Sequence, residues 1–366
     1  MEERRKLRVL MAGAGQDVRG GIASVVSGYY AAELNRRVDL KYIATVHEGN
    51  HMKKLTTAAA AYVKICAAAR QYDLLHIHMS HRSSFWRKAP LICLAHAAGL
   101  PVLIHLHGSE FDLFYEKECS RQQQRAVRKI FGMASCVIAL SESWRDWLCR
   151  IAAPEKILVL HNAVLPPTYQ RTDYSDRNVL FLGRLGQRKG TYDLLHAIPA
   201  LLQTVPDVHF FLAGDGDVSL CRKICQAERI EHAVDFPGWV TGRELETYLH
   251  SCSTLVLPSY HEGMPMAILE AMACGSVVVS TPVGGIPQVI RDGQNGFLTP
   301  PGDCAGLTAA LQRALTAPDR MQIGARARET VCSQFHLADH LEQLLAIYAA
   351  MVPDVSARRR SIYAGT

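Results

Sequence analysis

Residues 260–275 read Tyr-His-Glu-Gly-Met-Pro-Met-Ala-Ile-Leu-Glu-Ala-Met-Ala-Cys-Gly, directly after an apolar run, Thr254-Leu-Val-Leu, that stops at Pro258. The pattern predicts a strand, a short loop holding Glu262, Gly263, Met264 and Pro265, and a helix whose first turn faces that loop. A helix start offers backbone N–H groups without intrahelical partners and the positive end of the macrodipole, which suits a phosphate or a polar sugar. Glu262 falls on the loop and Glu270 about one and a half turns into the helix. Both carboxylates can therefore reach one elongated polar ligand lying across the helix start. Gly263 permits close backbone approach, and Pro265 suits the first helical turn. Taken alone, such a pair is more often one solvated loop acid and one solvated helix acid.

The neighbouring sequence adds weight to the ligand reading. Downstream runs Gly275-Ser-Val-Val-Val-Ser-Thr-Pro-Val-Gly-Gly-Ile-Pro, a buried strand entering a second glycine turn, and then Asp292-Gly-Gln-Asn-Gly-Phe-Leu. Two strand, glycine-loop and helix units in tandem are what the nucleotide crevice of a doubly wound sheet requires. Upstream, the strand Asn178-Val-Leu-Phe-Leu enters Gly-Arg-Leu-Gly-Gln-Arg-Lys-Gly190. Arg184 and Lys189 on this glycine-flanked loop can grip a diphosphate from two sides, although such a loop is equally at home as plain surface.

The spacing of Glu262 and Glu270 inside Glu-Gly-Met-Pro and Leu-Glu-Ala-Met-Ala-Cys-Gly, followed by Thr281-Pro-Val-Gly-Gly-Ile-Pro, resembles the retaining nucleotide-sugar glycosyltransferases of family 4, of the type that builds bacterial surface polysaccharides. The resemblance covers nearly the whole chain. It implies an α/β chain of the GT-B fold, two Rossmann-like doubly wound domains facing a central cleft. Residues 1–166 would form the N-terminal acceptor-binding domain, 167–176 a Pro-rich polar linker, 177–340 the nucleotide-sugar-binding domain, and 341–366 a crossover helix and basic tail. On the same resemblance Arg184 and Lys189 hold the donor diphosphate. Glu262, with the backbone of Gly263, Met264 and Pro265, fixes sugar hydroxyls, and Glu270 binds the ribose. Gly20 and Gly21 lie near the diphosphate, Gly214 belongs to a glycine loop near the nucleotide, and Val240 sits where the base rests against backbone. His107, followed by Gly108 at the end of the strand Pro101-Val-Leu-Ile-His-Leu-His, contacts the donor sugar. The catalytic set is then His107, Arg184, Lys189 and Glu262.

The implied reaction is retaining, metal-independent transfer of a hexosyl group from a UDP- or GDP-sugar to a hydroxyl of a glycan or lipid-diphosphate-linked acceptor, with no separate cofactor. Two other classes compete with it: a nucleotide-sugar epimerase of the same fold, and a non-catalytic subunit that binds nucleotide or lipid. Asp215-Gly-Asp217 would be a metal clamp in the other main glycosyltransferase fold, but here it ends a strand among glycine turns. The chain departs from the family at Asn162-Ala-Val-Leu, where the usual run is Asn-Gly-Val-Asp, and at Gln288, where Glu is common. No ligand role is carried onto either place.

With 366 residues, 49% of them hydrophobic and 20% charged, the chain suffices for two globular domains of ordinary size. No run approaches the roughly 18 to 20 apolar residues of a spanning helix. Met1-Glu-Glu-Arg-Arg-Lys leads straight into a strand, so the expectation is a cytoplasmic protein, attached if at all at the inner face of the plasma membrane. The 11 cysteines show no paired metal spacing and read as reduced thiols. The net charge of +6 is uneven: residues 1–170 carry 23 Lys and Arg against 14 Asp and Glu, and residues 171–366 carry 17 against 20. A basic first half suits solvated faces, an anionic membrane surface or a lipid diphosphate. Nucleic acid is set aside, because the basic residues are not interleaved with an aromatic-rich sheet or a recognition helix. A dinucleotide fingerprint after the first strand fails at Val18, where glycine is needed.

Three further features belong to the first half. An alanine-rich helix over about 51–71, with Lys53, Lys54, Lys64 and Arg70, is either an ordinary packed helix or a membrane-surface helix. Residues 79–88 read as a loop exposing Phe85 and Trp86 beside Arg82, Arg87 and Lys88, a candidate contact for the acceptor or a lipid head group. His76, His78, His105 and His107 alternate along two strands, and no carboxylate spacing completes a metal set.

Overall fold

The computed structural model describes residues 5–352. The basic triplet Arg358, Arg359 and Arg360 lies outside the described residues. The chain divides into two compact units, one built from residues up to 162 together with those from 337 onward, the other from residues 163–336.

The first unit holds a parallel sheet of β1 (Arg8–Gly13), β2 (Asp39–Ala44), β3 (Leu74–Met79), β4 (Val102–Leu106), β5 (Cys136–Ala139) and β6 (Ile157–Val159), in the order β2-β1-β3-β4-β5-β6. Every residue of β3 and β4 is buried, as expected for central parallel strands covered on both faces. Their histidines are buried with them. Helices α1 (Gly21–Ala31), α2 (His51–Ala68) and α3 (Ser83–Ala97) connect these strands. Asn50 caps α2 by accepting from the backbone N–H of Lys53 at 2.9 Å. Helix α3 replaces most of the loop expected over 79–88. Phe85, Ala89, Ile92 and Ala95 recur at helical spacing and are buried, a periodicity obscured by the polar run around them and by Pro90.

The second unit carries β7 (Asn178–Leu182), β8 (His209–Ala213), β9 (Val234–Asp235), β10 (Thr254–Leu257), β11 (Val277–Ser280) and β12 (Phe297–Leu298), all parallel, in the order β9-β8-β7-β10-β11-β12. Counted within the unit this is 3-2-1-4-5-6, the doubly wound order whose ligand crevice opens where the order reverses, beyond the C-terminal ends of β7 and β10. Helix α4 (Thr191–Leu202) follows β7, and α5 (Met266–Ala273) follows β10. Residues 167–176, expected as a linker, are anchored on this unit. Arg171 is buried and donates to the carbonyls of Leu249, His250 and Cys252 at 2.7, 2.9 and 2.8 Å, and the Tyr174 hydroxyl donates to that of Gly275 at 2.6 Å. The accepting carbonyls of Leu249 and His250 lie at the C-terminal end of the helix Gly242–Ser251, and that of Cys252 just beyond it.

The last described helix, α6 (Leu337–Met351), packs in the first unit, burying Leu341, Leu344 and Tyr348. Two Rossmann-like parallel-sheet units in one chain make up the GT-B fold class.

Candidate active site

At the strand-order reversal of the second unit, the loop after β7 meets the loop after β10. The Tyr260 N–H donates to the Arg188 carbonyl at 2.8 Å. Beside it Lys189 Nζ donates to Glu262 Oε1 at 2.5 Å, and Ser259 Oγ donates to the same oxygen at 2.7 Å. Gly190 allows this approach: its φ is 65°, and a Cβ there would collide with the Pro258 carbonyl. The Lys189 and Glu262 side chains are only 13% and 6% exposed. Burial by itself raises the Glu262 carboxyl, but the Lys189 ammonium, the Arg188 guanidinium and the hydrogen bonds more than offset it, so it stays below the usual range. The pair is ionised. Sequence reasoning sent Lys189 to a diphosphate and Glu262 to a sugar and missed that they bind each other. They lie 73 residues apart in the chain, so no spacing signal announces the contact.

Arg184 is exposed, with no partner for its guanidinium among the described residues, yet its backbone is fixed. The Gly183 N–H donates to the Ala213 carbonyl at 3.0 Å and the Leu185 N–H to that of Asp215 at 2.6 Å, zipping the loop after β7 onto the loop after β8. A Cβ at Gly214 would strike the Gly183 carbonyl, so loop packing alone requires glycine there. Asp217 accepts from the Tyr192 hydroxyl at 2.6 Å.

Gly263, Met264 and Pro265 are buried, with Pro265 capping α5 rather than standing inside its first turn. Glu270 is half-buried, and burial pushes its carboxyl up to about 7. The second glycine turn is pinned to this loop, because the Gly285 N–H donates to the Gly263 carbonyl at 2.7 Å. Gln288, just beyond that turn, has a buried side-chain oxygen without a partner and is a polar group that sequence reasoning set aside. Val240 is buried in the segment after β9.

At the same edge of the first unit the chemistry is different. The β3–β4 register sets His78 opposite His105, and the four imidazoles pile up with ring centroids 4.3 Å apart for His76 and His78, 5.2 Å for His78 and His105, and 4.1 Å for His105 and His107. His76, His78 and His105 are fully buried, and His107 is half-buried at the strand end. Burial pushes all four below their ordinary range, His107 down to about 3 with the Lys88 ammonium adding to the effect. The stack is neutral. His76, His78 and His105 have nitrogens within 4.8 Å of one another, a conceivable metal set. Two of these nitrogens, His76 Nε2 and His105 Nδ1, already face each other at hydrogen-bond distance, 3.3 Å. Gly20, with φ 139°, precedes α1, and the space where Gly20 and Gly21 would carry a Cβ is open.

The patch expected at residues 82–88 is not an exposed surface. Phe85 is fully buried, ringed by Trp86, Phe111, Phe114 and Phe131. Lys88 is buried and donates to Ser84 Oγ at 2.8 Å, and burial lowers its ammonium to about 7. Arg82 is spent on Glu118 at 2.5 Å and Glu110 at 3.1 Å. Trp86 and Arg87 are half-buried. The error has one cause: a helix turns Phe85 and Lys88 inward where a loop would have let them face solvent.

Residues 24–166 match the family described as Glycosyltransferase Family 4, and residues 176–317 match Glycosyl transferases group 1. A phosphatidyl-myo-inositol mannosyltransferase of Mycolicibacterium smegmatis is 30% identical over 74% of this chain and 69% of its own length. The chain belongs to the GT-B glycosyltransferases. The chain is also 29% identical to a glycogen synthase of Mycobacterium tuberculosis over 72% of its length, a match that spans 65% of that relative. Among solved structures, the Anabaena HepE in complex with UDP-glucose superposes with a TM-score of 0.76 at 20% identity, covering 94% of this chain and 100% of the other. Among the described residues no helix is long and apolar enough to cross a membrane.

Proposed function

We propose that this chain is a retaining, metal-independent glycosyltransferase of family 4 that moves a hexosyl group from a UDP- or GDP-sugar to a hydroxyl of a lipid-linked glycan in polysaccharide biosynthesis. The observation that carries the reading is the buried Lys189–Glu262–Ser259 cluster at the strand-order reversal of the second unit, with the unpartnered Arg184 on the same loop. A carboxylate held ionised by a lysine accepts from sugar hydroxyls, while the remaining ammonium N–H groups and Arg184 meet phosphate oxygens. The two cations and the start of α5 supply the positive charge that a departing diphosphate needs, without a metal. The acceptor oxygen bonds to the anomeric carbon on the face from which the diphosphate leaves. The carbon–phosphate oxygen bond breaks, and the leaving phosphate takes the hydroxyl proton. Glu270 receives the ribose hydroxyls, Gly20 and Gly21 leave room for the diphosphate, and His107 contacts the sugar.

A lipid-linked acceptor is supported by the mycobacterial relative, whose name carries a phosphoinositide, and by α2. That helix turns Met52, Leu55 and Val63 outward at 66%, 66% and 70% exposure, opposite its buried Ala61 and Ile65, with Lys53, Lys54 and Lys64 exposed alongside. An apolar stripe with lysines beside it suits an anionic membrane surface.

Calorimetric titration with UDP and with GDP tests the donor site. One of the two should bind, and Glu270→Ala should weaken that binding about tenfold or more. Binding of neither nucleotide, or binding indifferent to Glu270→Ala, overturns the reading.

A further inference from the structure

The histidine stack behind His107 fixes more than position. His78 Nδ1 lies 2.9 Å from His107 Nε2, while His78 Nε2 is buried with no partner. A neutral imidazole carries one proton, and a buried N–H without an acceptor costs more than a buried lone pair without a donor. His78 therefore keeps its proton on Nδ1 and donates to His107 Nε2. His107, neutral as well, must then hold its own proton on Nδ1.

The other pair repeats the polarity. His105 Nε2 is also buried without a partner, so His105 donates from Nδ1 to His76 Nε2 at 3.3 Å. His76 in turn donates from Nδ1 to the Tyr348 hydroxyl on α6 at 2.6 Å. A nearby pair is settled by a carbonyl: His340 Nδ1 must donate to the His161 oxygen at 2.7 Å, which leaves its Nε2 to accept from the Tyr29 hydroxyl at 2.8 Å. The His340 proton is thus fixed by a carbonyl, and those of His78 and His105 by their buried, partnerless Nε2 atoms. The other titratable groups acting on the stack, Lys88 and His340, disfavour an added proton.

We infer that His78 is a positioning residue that locks His107 in the Nδ1–H tautomer, so that His107 meets its ligand as a neutral hydrogen-bond donor and not as a base. The ligand atom it takes is an oxygen with a free lone pair, a sugar hydroxyl or phosphate oxygen, and in this the inference rests on the function proposed above. The acceptor proton cannot pass to His107, because its Nε2 lone pair is occupied and its Nδ1 already bears hydrogen.

Imidazole ¹H–¹⁵N correlation spectra of the ¹⁵N-histidine-labelled protein test the assignment, with His107 identified by the signal lost in His107→Gln. The wild type should show His107 protonated on Nδ1 alone from pH 5 to 8. His78→Asn, whose amide N–H can stand where Nδ1–H stood, should keep that signature and keep kcat within about threefold, whereas His78→Leu should mix the tautomers and lower kcat about tenfold or more. An Nε2-protonated or doubly protonated His107 in the wild type overturns the inference, as does an unchanged signature in His78→Leu. Should His78→Leu fail to fold, the wild-type and His78→Asn spectra decide. A wild type that shows the Nδ1–H signature but turns over no nucleotide sugar upholds the tautomer and refutes the proposed function.

Discussion

The two units share one kind of sheet and place opposite chemistry at its C-terminal edge. In the second unit a buried, ionised Lys189–Glu262 pair and an unpartnered Arg184 gather charge on glycine-flanked loops. The corresponding edge of the first unit gathers neutral rings, held neutral by burial and by each other. The difference teaches that one type of sheet can end in charged loops, the chemistry that suits phosphate oxygens, or in fixed neutral dipoles, the chemistry that suits hydroxyls.

The largest test of that division is Glu262→Gln. It leaves the Lys189 ammonium buried without its counter-charge, so kcat/KM should fall by about two orders of magnitude or more and stability by about 2–4 kcal/mol, measured by sugar transfer and by denaturant unfolding. An unaltered melt would mean that the pair is not the charged centre of this edge. Arg184→Ala separates function from folding. It should lower kcat/KM about tenfold or more with a Tm within about 2 °C of wild type, because the exposed guanidinium has no partner to lose.

Glu270→Gln sharpens the contrast through pH. Its folded carboxyl titrates at about 7, above the ordinary 4.5, so its contribution is fully present below pH 4.5 and is lost as pH rises through 7. Relative to wild type the variant should match at pH 4 and be more stable at pH 8 by about 1–3 kcal/mol, read from unfolding curves at both values. A constant difference would show that Glu270 is not the group titrating. The smallest effect belongs to the neutral edge: Tyr348→Phe removes one hydrogen bond from His76 and should cost about 1–2 kcal/mol with no change in nucleotide affinity, measured by thermal melt and calorimetry.

Much of the fold was legible because buried parallel strands write themselves as unbroken apolar runs. Thr254–Leu257 and Val277–Ser280, each followed by glycine and a helix, sufficed for the doubly wound pattern. What escaped was set by contacts distant in sequence. Lys189 and Glu262 carry no local mark of their pairing, and the role of Tyr348 depends on a strand 272 residues away. Residues 83–88 failed for another reason: polar and aromatic residues around Pro90 look like a loop until the apolar positions are counted at helical spacing. The polar run at 167–176 resembled a tether for the same compositional reason, though Arg171 fastens it to carbonyls at the C-terminal end of the helix Gly242–Ser251.

Helix α6 has a consequence for how the molecule is made. Residues 163–336 form a continuous stretch, so the second unit can complete its sheet as soon as that stretch has left the ribosome. The first unit cannot finish then: the hydroxyl that holds His76 and the imidazole that holds Tyr29 arrive only with α6, after the whole second unit has been synthesised. The half that starts first is therefore completed last, and its sheet must wait through the synthesis of 174 residues with its histidine-lined face uncovered.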